Sequence, residues 1–252
     1  MLIPITREKF EQLIPIIATG SQYKYYWGKP TEAILRLLIS LVAAMLIWWL
    51  EVTFLGPEYT ALVLLSGIFI ASYFLWGPIF HASLRNYQCR KYKYSGFWKG
   101  EIWDLYITEE LVGKEQNVNK RGELVIVENR EKRLNIEVGD ETGFSTSLQV
   151  PLKRIHKSLR RGQAAEMLVM SNKPDLEIIT KVSDIYISDL DLWVSDYPYL
   201  QRKDFTELSY KFEKSEKMER QKKRKTSVEE EIESEEMRPV RQPKRKKRVN
   251  DW

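Results

Sequence analysis

The sequence predicts a membrane α-helical hairpin of two transmembrane helices, then a small mostly-β barrel domain and a charged, disordered tail. Three observations carry that expectation. Two uncharged apolar runs, Leu37–Leu50 and Tyr59–Phe80, are separated only by a short island. Between residues 100 and 200, short runs rich in β-branched residues alternate with turn signals. Residues 211–252 hold 15 basic and 10 acidic side chains, which is the whole net charge of +5.

Residues 1–32 form an amphipathic and aromatic juxtamembrane segment. TREKFEQLIPIIATG predicts a short helix capped by Thr6, with Phe10, Leu13 and Ile14 on one side. Pro15 disturbs its last turn. SQYKYYWGKP follows, mixing four aromatics with two lysines. Such a mixture can stack on nucleic acid. Just ahead of an apolar run, the better reading places Tyr23, Tyr25, Tyr26 and Trp27 in the lipid headgroup layer, beside lysines facing anionic lipid. Docking of a membrane partner is a second use of the same patch.

Residues 33–81 are the hairpin. Crossing the hydrocarbon layer takes about 20 apolar residues. The second run meets this unaided, and the first meets it if Arg36 snorkels to the interface. Trp48, Trp49, Tyr59, Tyr73 and Trp76 lie toward the ends, where amphipathic rings prefer the interface. A pair of core helices in a soluble protein would normally keep a polar face, which the second run lacks. A cleaved signal peptide is not expected, because no small-residue cleavage site follows the first run. Pro78 falls near the end of the second run.

The island EVTFLGPEYT has two acids and no Lys or Arg. Arg7, Lys9, Lys24, Lys29 and Arg36 precede or open the first run, and Arg85, Arg90, Lys91, Lys93 and Lys99 follow the second. Positive residues near span ends stay on the cytoplasmic side. Both termini and the β domain are therefore expected there, with the island on the far side.

Residues 82–99 are a basic, aromatic connector. Residues 100–200 predict the β domain, with strands in GEIWDLYITEEL, ELVIVENR, RLNIEVGD, GFSTSLQVPL, AEMLVMS and SDIYIS. Leu134, Ile136 and Val138 share one face of their strand, as do Phe144, Thr146, Leu148 and Val150 of theirs. GDETG is a tight hairpin signal, NVNKRG is a second turn, and PLKRIHKSLRRGQ holds a helical turn. Five or six strands in about 100 residues suit a small closed or half-closed barrel, OB-like first, PH-like or a small sandwich second.

Residues 201–225 predict a charged helix, with Glu213–Lys217, Glu216–Arg220 and Glu219–Lys223 in the favourable i, i+4 orientation. Residues 226–252 predict disorder. The basic clusters Lys222, Lys223, Arg224, Lys225 and Lys244, Arg245, Lys246, Lys247, Arg248 make the tail an electrostatic element for anionic lipid, acidic partners or RNA.

No catalytic motif appears. There is no phosphate-cradling Gly-Lys-Ser/Thr loop, dinucleotide glycine fingerprint or Gly-x-Ser-x-Gly elbow. The two histidines, His81 and His156, do not make a metal-ligand cluster with Cys89, the single cysteine. His81 reads as interfacial rather than as a pigment or metal ligand. Cys89 reads as a plain thiol rather than an acylation site, and the acids of GDETG as a solvated turn rather than a cation site. No cofactor is expected. Neither run carries the buried charge that marks an ion route.

LIPITREKFEQLIPIIATGSQYKYYWGK, the two apolar runs, GELVIVENREKRLNIEVGDETGFSTSLQVPL and DLWVSDYPYL together resemble a family of two-span membrane proteins of cyanobacteria and plastids. Its members are often labelled phosphate transporter permeases. The resemblance covers residues 1 to about 205. The layout is also similar to that of plastid-encoded photosystem I assembly factors, with Thr19, Gly20, Ser21 and then Tyr23 to Trp27 matching an early stretch of theirs. The resemblance implies a photosynthetic (thylakoid) membrane and a role in complex biogenesis. The expected function is a non-enzymatic scaffold or assembly factor whose partners are the bilayer and the protein subunits of a membrane complex. A phosphate-permease-like transport component, or a nucleic-acid or ribosome tether acting through the tail, is the alternative.

Overall fold

The computed structural model of the 252-residue chain describes residues 1–28, 30–54, 57–118 and 124–236. Clustering of contacts divides the chain at Phe205 into two units, Met1–Phe205 and Thr206–Trp252.

The first unit opens with strand β1 (Leu2–Pro4) and helix α1 (Arg7–Leu13). As the sequence predicts, the Thr6 side chain caps α1, accepting from the Lys9 backbone N–H. Phe10, Leu13 and Ile14 are buried together. Helix α2 (Gly20–Trp27) is a structure the aromatic patch did not announce. Its signal was present in the capping box of Thr19 and Gln22, in which each side chain accepts from the other's backbone N–H.

Helix α3 (Pro30–Phe54) begins with proline at its first position, where the missing N–H costs nothing. Its 25 residues reach roughly 37 Å at about 1.5 Å per residue. It is one helix long and apolar enough to cross a membrane. The second apolar run is not one straight helix. It divides into α4 (Thr60–Ala71) and α5 (Tyr73–Arg90), bent by 62° at Ser72. The Ser72 hydroxyl donates to the Ile68 carbonyl at 2.7 Å, a back-bond that bends helices. Pro78 lies inside α5 and removes a further ladder bond. The break falls at the serine, not at the proline. α4 alone, roughly 18 Å long, does not cross a layer of about 30 Å. The bent pair together passes by length and composition.

The β domain is a single antiparallel sheet built from β2 (Tyr94–Val118), β3 (Leu124–Gly139), β4 (Ser145–Pro151), β5 (Ala164–Ser171), β6 (Lys181–Ile187) and β7 (Leu192–Val194). Its order is β4-β3-β2-β5-β6-β7, with β1 added beside the start of β2. ELVIVENR and RLNIEVGD are one continuous strand, β3. The hairpin at GDETG forms as expected, with Gly139 opposite Ser145 and Gly143 at a φ of +93°. The NVNKRG turn falls largely outside the described residues.

The sheet is open, which corrects the expected OB-like or PH-like barrel. No ladder joins β4 to β7 among the described residues. The sheet does curl. Leu134, Ile136, Val138 and Val150 from one end share a core cluster with Ile185 and Val194 from the other. The second face is covered rather than free, because β5 is buried on both sides. Ala165, Met167 and Val169 belong to the main core, while Leu168 and Met170 alternate to the opposite face. On that face the ring of Phe205 packs 5.6 Å from Phe97 and 5.4 Å from Trp193. The run AAEMLVMS had lacked the strict alternation of a half-exposed strand.

Helix α6 (Arg202–Glu236) begins at the end of the first unit and, in the second, continues through the acidic block instead of ending near Lys225. Residues 202–236 contain no Gly or Pro and consist largely of good helix formers. Lys217 and Glu213 pair at 2.6 Å, as their spacing predicts. Residues 237–252, with the cluster Lys244–Arg248, lie outside the described residues.

Candidate functional site

The foot of the apolar helices, the N-terminal segment and the β domain meet at one polar junction. The amides of Gln22 on α2 and Asn86 on α5 are fully buried and paired with each other, at 2.8 and 2.9 Å. Gln22 also donates to the Tyr199 carbonyl at 3.3 Å, which brings in the segment after β7. Nearby, Ala18 donates to the Ser83 hydroxyl, and Gln201 donates to the Leu13 carbonyl at 2.8 Å. Arg90 ion-pairs with Glu11 and donates to the Ile14 carbonyl. Buried polar groups must find partners, and here three chain segments supply them to one another.

Aromatic rings and cations fill the same junction. The Arg85 guanidinium lies 4.7 Å from the ring centroid of Tyr197 and 5.7 Å from that of Tyr26. Tyr25 and Tyr197 meet edge to face at 5.0 Å. Lys181 sits 4.5 Å from the ring of Tyr199. Burial pushes the Tyr197 phenol well above its usual range. Beneath this group lies Asp184 on β6, whose carboxylate accepts the Tyr199 N–H at 2.8 Å. Burial pushes Asp184 up to about 7, against the opposing pull of the Tyr199 and Leu200 N–H groups and Arg202.

Beside the junction a cleft of about 460 Å³ opens between α3 and α5. Its polar lining includes Arg36, Arg85, His81 and Glu32. Arg36 is anchored there by two carbonyls, donating to Glu32 at 3.1 Å and to Tyr26 at 2.6 Å. His81 and the Tyr73 hydroxyl are 3.2 Å apart.

A second feature stands at the other end of the β domain. From Glu109 opposite Lys132 out to Val118 opposite Leu124, β2 and β3 form ladder pairs only with each other among the described residues. This two-stranded arm spans roughly 30 Å at about 3.4 Å per residue. One of its faces is polar, with Glu110 ion-paired to Arg133 at 2.9 Å; just before the arm, on the same face, Asn135 donates to Thr108 at 2.8 Å. The other face extends from the core side of the sheet. Leu105 packs on the core, and Ile107 and Leu111 follow on the same face but are exposed, separated by the Glu109–Lys132 ion pair at 3.9 Å. Val112, at a register shift, is exposed as well.

The residues singled out from the sequence divide. Tyr26 is buried and Tyr25, half-buried, packs on Tyr197, so α2 turns both rings toward the junction. Trp27 is exposed and Tyr23 half-buried. Trp48 and Trp49 are exposed on α3, and Trp76 stacks on Phe69 at 5.1 Å. Lys222, Lys223, Arg224 and Lys225 lie on α6. Cys89 is fully buried, which removes it as a surface thiol. His156 is buried, and its Nδ1 accepts the Lys153 N–H at 3.3 Å; burial first, and then Lys153, holds its pKa below the usual value. Asp140 of GDETG is also buried, accepting from Trp98 Nε1 at 2.9 Å and the Thr142 N–H at 3.1 Å, so it is a turn-stabilising acid. Among the described residues, no group of three or more His, Cys, Asp or Glu is placed to hold a metal.

Sequence reasoning missed Gln22, Asn86, Arg85, Tyr197, Tyr199 and Asp184 as one site. The one local signal was the capping box that makes α2 a helix.

Residues 3–220 match a family described as a family of unknown function, DUF8619. The chain belongs to the DUF8619 family. The DUF8619 match takes in the junction, the cleft and the arm. No curated protein and no solved structure matches the chain.

Proposed function

We propose that this protein is a membrane-anchored, non-enzymatic scaffold that docks protein subunits of a membrane complex on the cytoplasmic side. In this reading α3 and the bent α4–α5 pair form a two-span hairpin. Only 11% of the apolar window of α3 is buried within the protein, so that surface calls for an apolar solvent. The junction then acts as a rigid bracket. It fixes the β domain to the foot of the hairpin through buried hydrogen bonds rather than through a loose linker.

One observation carries the docking role: Ile107, at the edge of the core, and Leu111, on the arm, are both exposed on one face of β2, with the Glu109–Lys132 ion pair between them. Exposed apolar side chains flanking an ion pair at the root of a two-stranded arm make a surface that a partner protein covers. The resemblance to two-span proteins of cyanobacteria and plastids supports a thylakoid membrane and a part in photosystem biogenesis.

The test is affinity purification from mildly solubilised membranes, comparing the native chain with an Ile107→Asp, Leu111→Asp variant. Membrane-complex subunits should co-purify with the native chain and be lost from the variant. Co-purification of the same subunits with both would remove the arm as the docking surface.

A further inference from the structure

In the cleft beside the junction, the Arg85 guanidinium is not paired with an anion among the described residues. Among the described residues Arg85 makes neither a hydrogen bond nor an ion pair; its contacts are the ring faces of Tyr197 and Tyr26. Stacking leaves the in-plane N–H donors of a guanidinium unused, and these suit an oxyanion. Arg36 faces the same cleft. Its Nε and Nη2 are held by carbonyls, and Nη1 has no partner among the described residues.

The other wall is apolar. Leu35 and Ile39 line the cleft, and with Val42 they make an exposed i, i+4, i+7 stripe up α3. A site for a free anion has no use for such a wall, whereas an amphiphile fills both parts. Glu32, the one carboxylate of the lining, disfavours a doubly charged phosphate more than a singly charged diester.

We infer that this cleft binds the phosphodiester headgroup of an anionic lipid. The phosphate oxygens accept from Arg85 and Arg36, and an acyl chain lies along Leu35 and Ile39. The inference rests on α3 lying in a bilayer.

The experiment uses the purified full chain in neutral detergent. Retention of phosphatidylglycerol is compared with that of phosphatidylcholine by native mass spectrometry, with inorganic phosphate as a competitor. Two variants are tested, Arg85→Gln and Leu84→Glu. Leu84 is an exposed lining residue, so a carboxylate there repels the headgroup without disturbing the stack even if Arg85→Gln fails to fold.

Phosphatidylglycerol should be retained over phosphatidylcholine, and its binding should weaken at least about tenfold in each folded variant, as loss of a charge-assisted contact implies. Inorganic phosphate should not displace it. Equal retention of the two lipids, native retention in Leu84→Glu, or ready displacement by inorganic phosphate would overturn the inference. Alkaline extraction of native membranes separates the two levels. A chain that resists extraction but shows no lipid preference defeats the cleft alone, while a chain released by extraction defeats the membrane reading beneath it.

Discussion

The guanidinium of Arg85 on α5 stacks over the ring of Tyr197, 4.7 Å from its centroid, and so ties the foot of the apolar helices to the segment after β7. The ring does the work in this contact. The Tyr197 hydroxyl is buried with no hydrogen-bond partner among the described residues. Tyr197→Phe should therefore keep the stack and be neutral or stabilising, by up to about 1–3 kcal/mol. Tyr197→Leu should lose about 1–2 kcal/mol through the cation–π contact. Thermal unfolding in detergent orders the three proteins; a marked loss in Tyr197→Phe would mean that the hydroxyl has a partner.

The Gln22–Asn86 pair makes a sharper case, because both amides are fully buried. Gln22→Leu strands the Asn86 amide and should cost about 1–3 kcal/mol. Adding Asn86→Leu should recover part of that loss. Denaturant titration of the two single variants and the double variant measures the coupling, and purely additive losses would refute it.

Asp184 gives the junction a pH dependence of definite sign. Its folded-state pKa is raised from 3.8 to about 7. Between those values the folded chain keeps a proton that the unfolded chain has released. Stability is therefore fully present below the lower value and falls as pH rises toward 7, by on the order of 4 kcal/mol at most. Asp184→Asn should flatten that slope while its amide oxygen still accepts from Tyr199. Melting temperatures measured from pH 4 to pH 7 decide it, and parallel curves would rule Asp184 out as the cause.

Much of the local structure was legible, and the reason is period. Phe10, Leu13 and Ile14 fall on one side of α1, and Leu134, Ile136 and Val138 alternate on β3, because these patterns depend only on near neighbours. Sheet closure was not legible, since it depends on whether β4 meets β7, two strands distant in sequence. The junction was hidden for the same reason. Arg85 and Tyr197 are 112 positions apart in the chain, and the aromatics of α2 look alike whether they face lipid or Tyr197. The break at Ser72 was masked by Pro78, the louder signal.

The exposed pair Ile107 and Leu111 should be energetically quiet and functionally decisive. Ile107 and Leu111 are exposed, so Ile107→Asp with Leu111→Asp should shift stability by no more than about 0.5 kcal/mol per site. A large drop in melting temperature would show that these residues support the core.

The charged tail should matter only through salt. Truncation after Tyr210 removes the whole net +5 and should leave the β domain folded. Binding to anionic vesicles should weaken at low salt and converge with the full chain at high salt, as screening beyond about 8 Å at physiological ionic strength requires. Coincident binding curves across the salt series would make the tail a passive extension.

The central claim is that the apolar helices cross a bilayer and hold the β domain on one side of it. Single cysteines at Thr53→Cys, at the far end of α3, and Lys173→Cys, in an exposed turn of the β domain, test it in a Cys89→Ser background with a membrane-impermeant thiol reagent. Sealed vesicles of known orientation should label the two positions from opposite sides. Labelling of both from the same side would contradict the account.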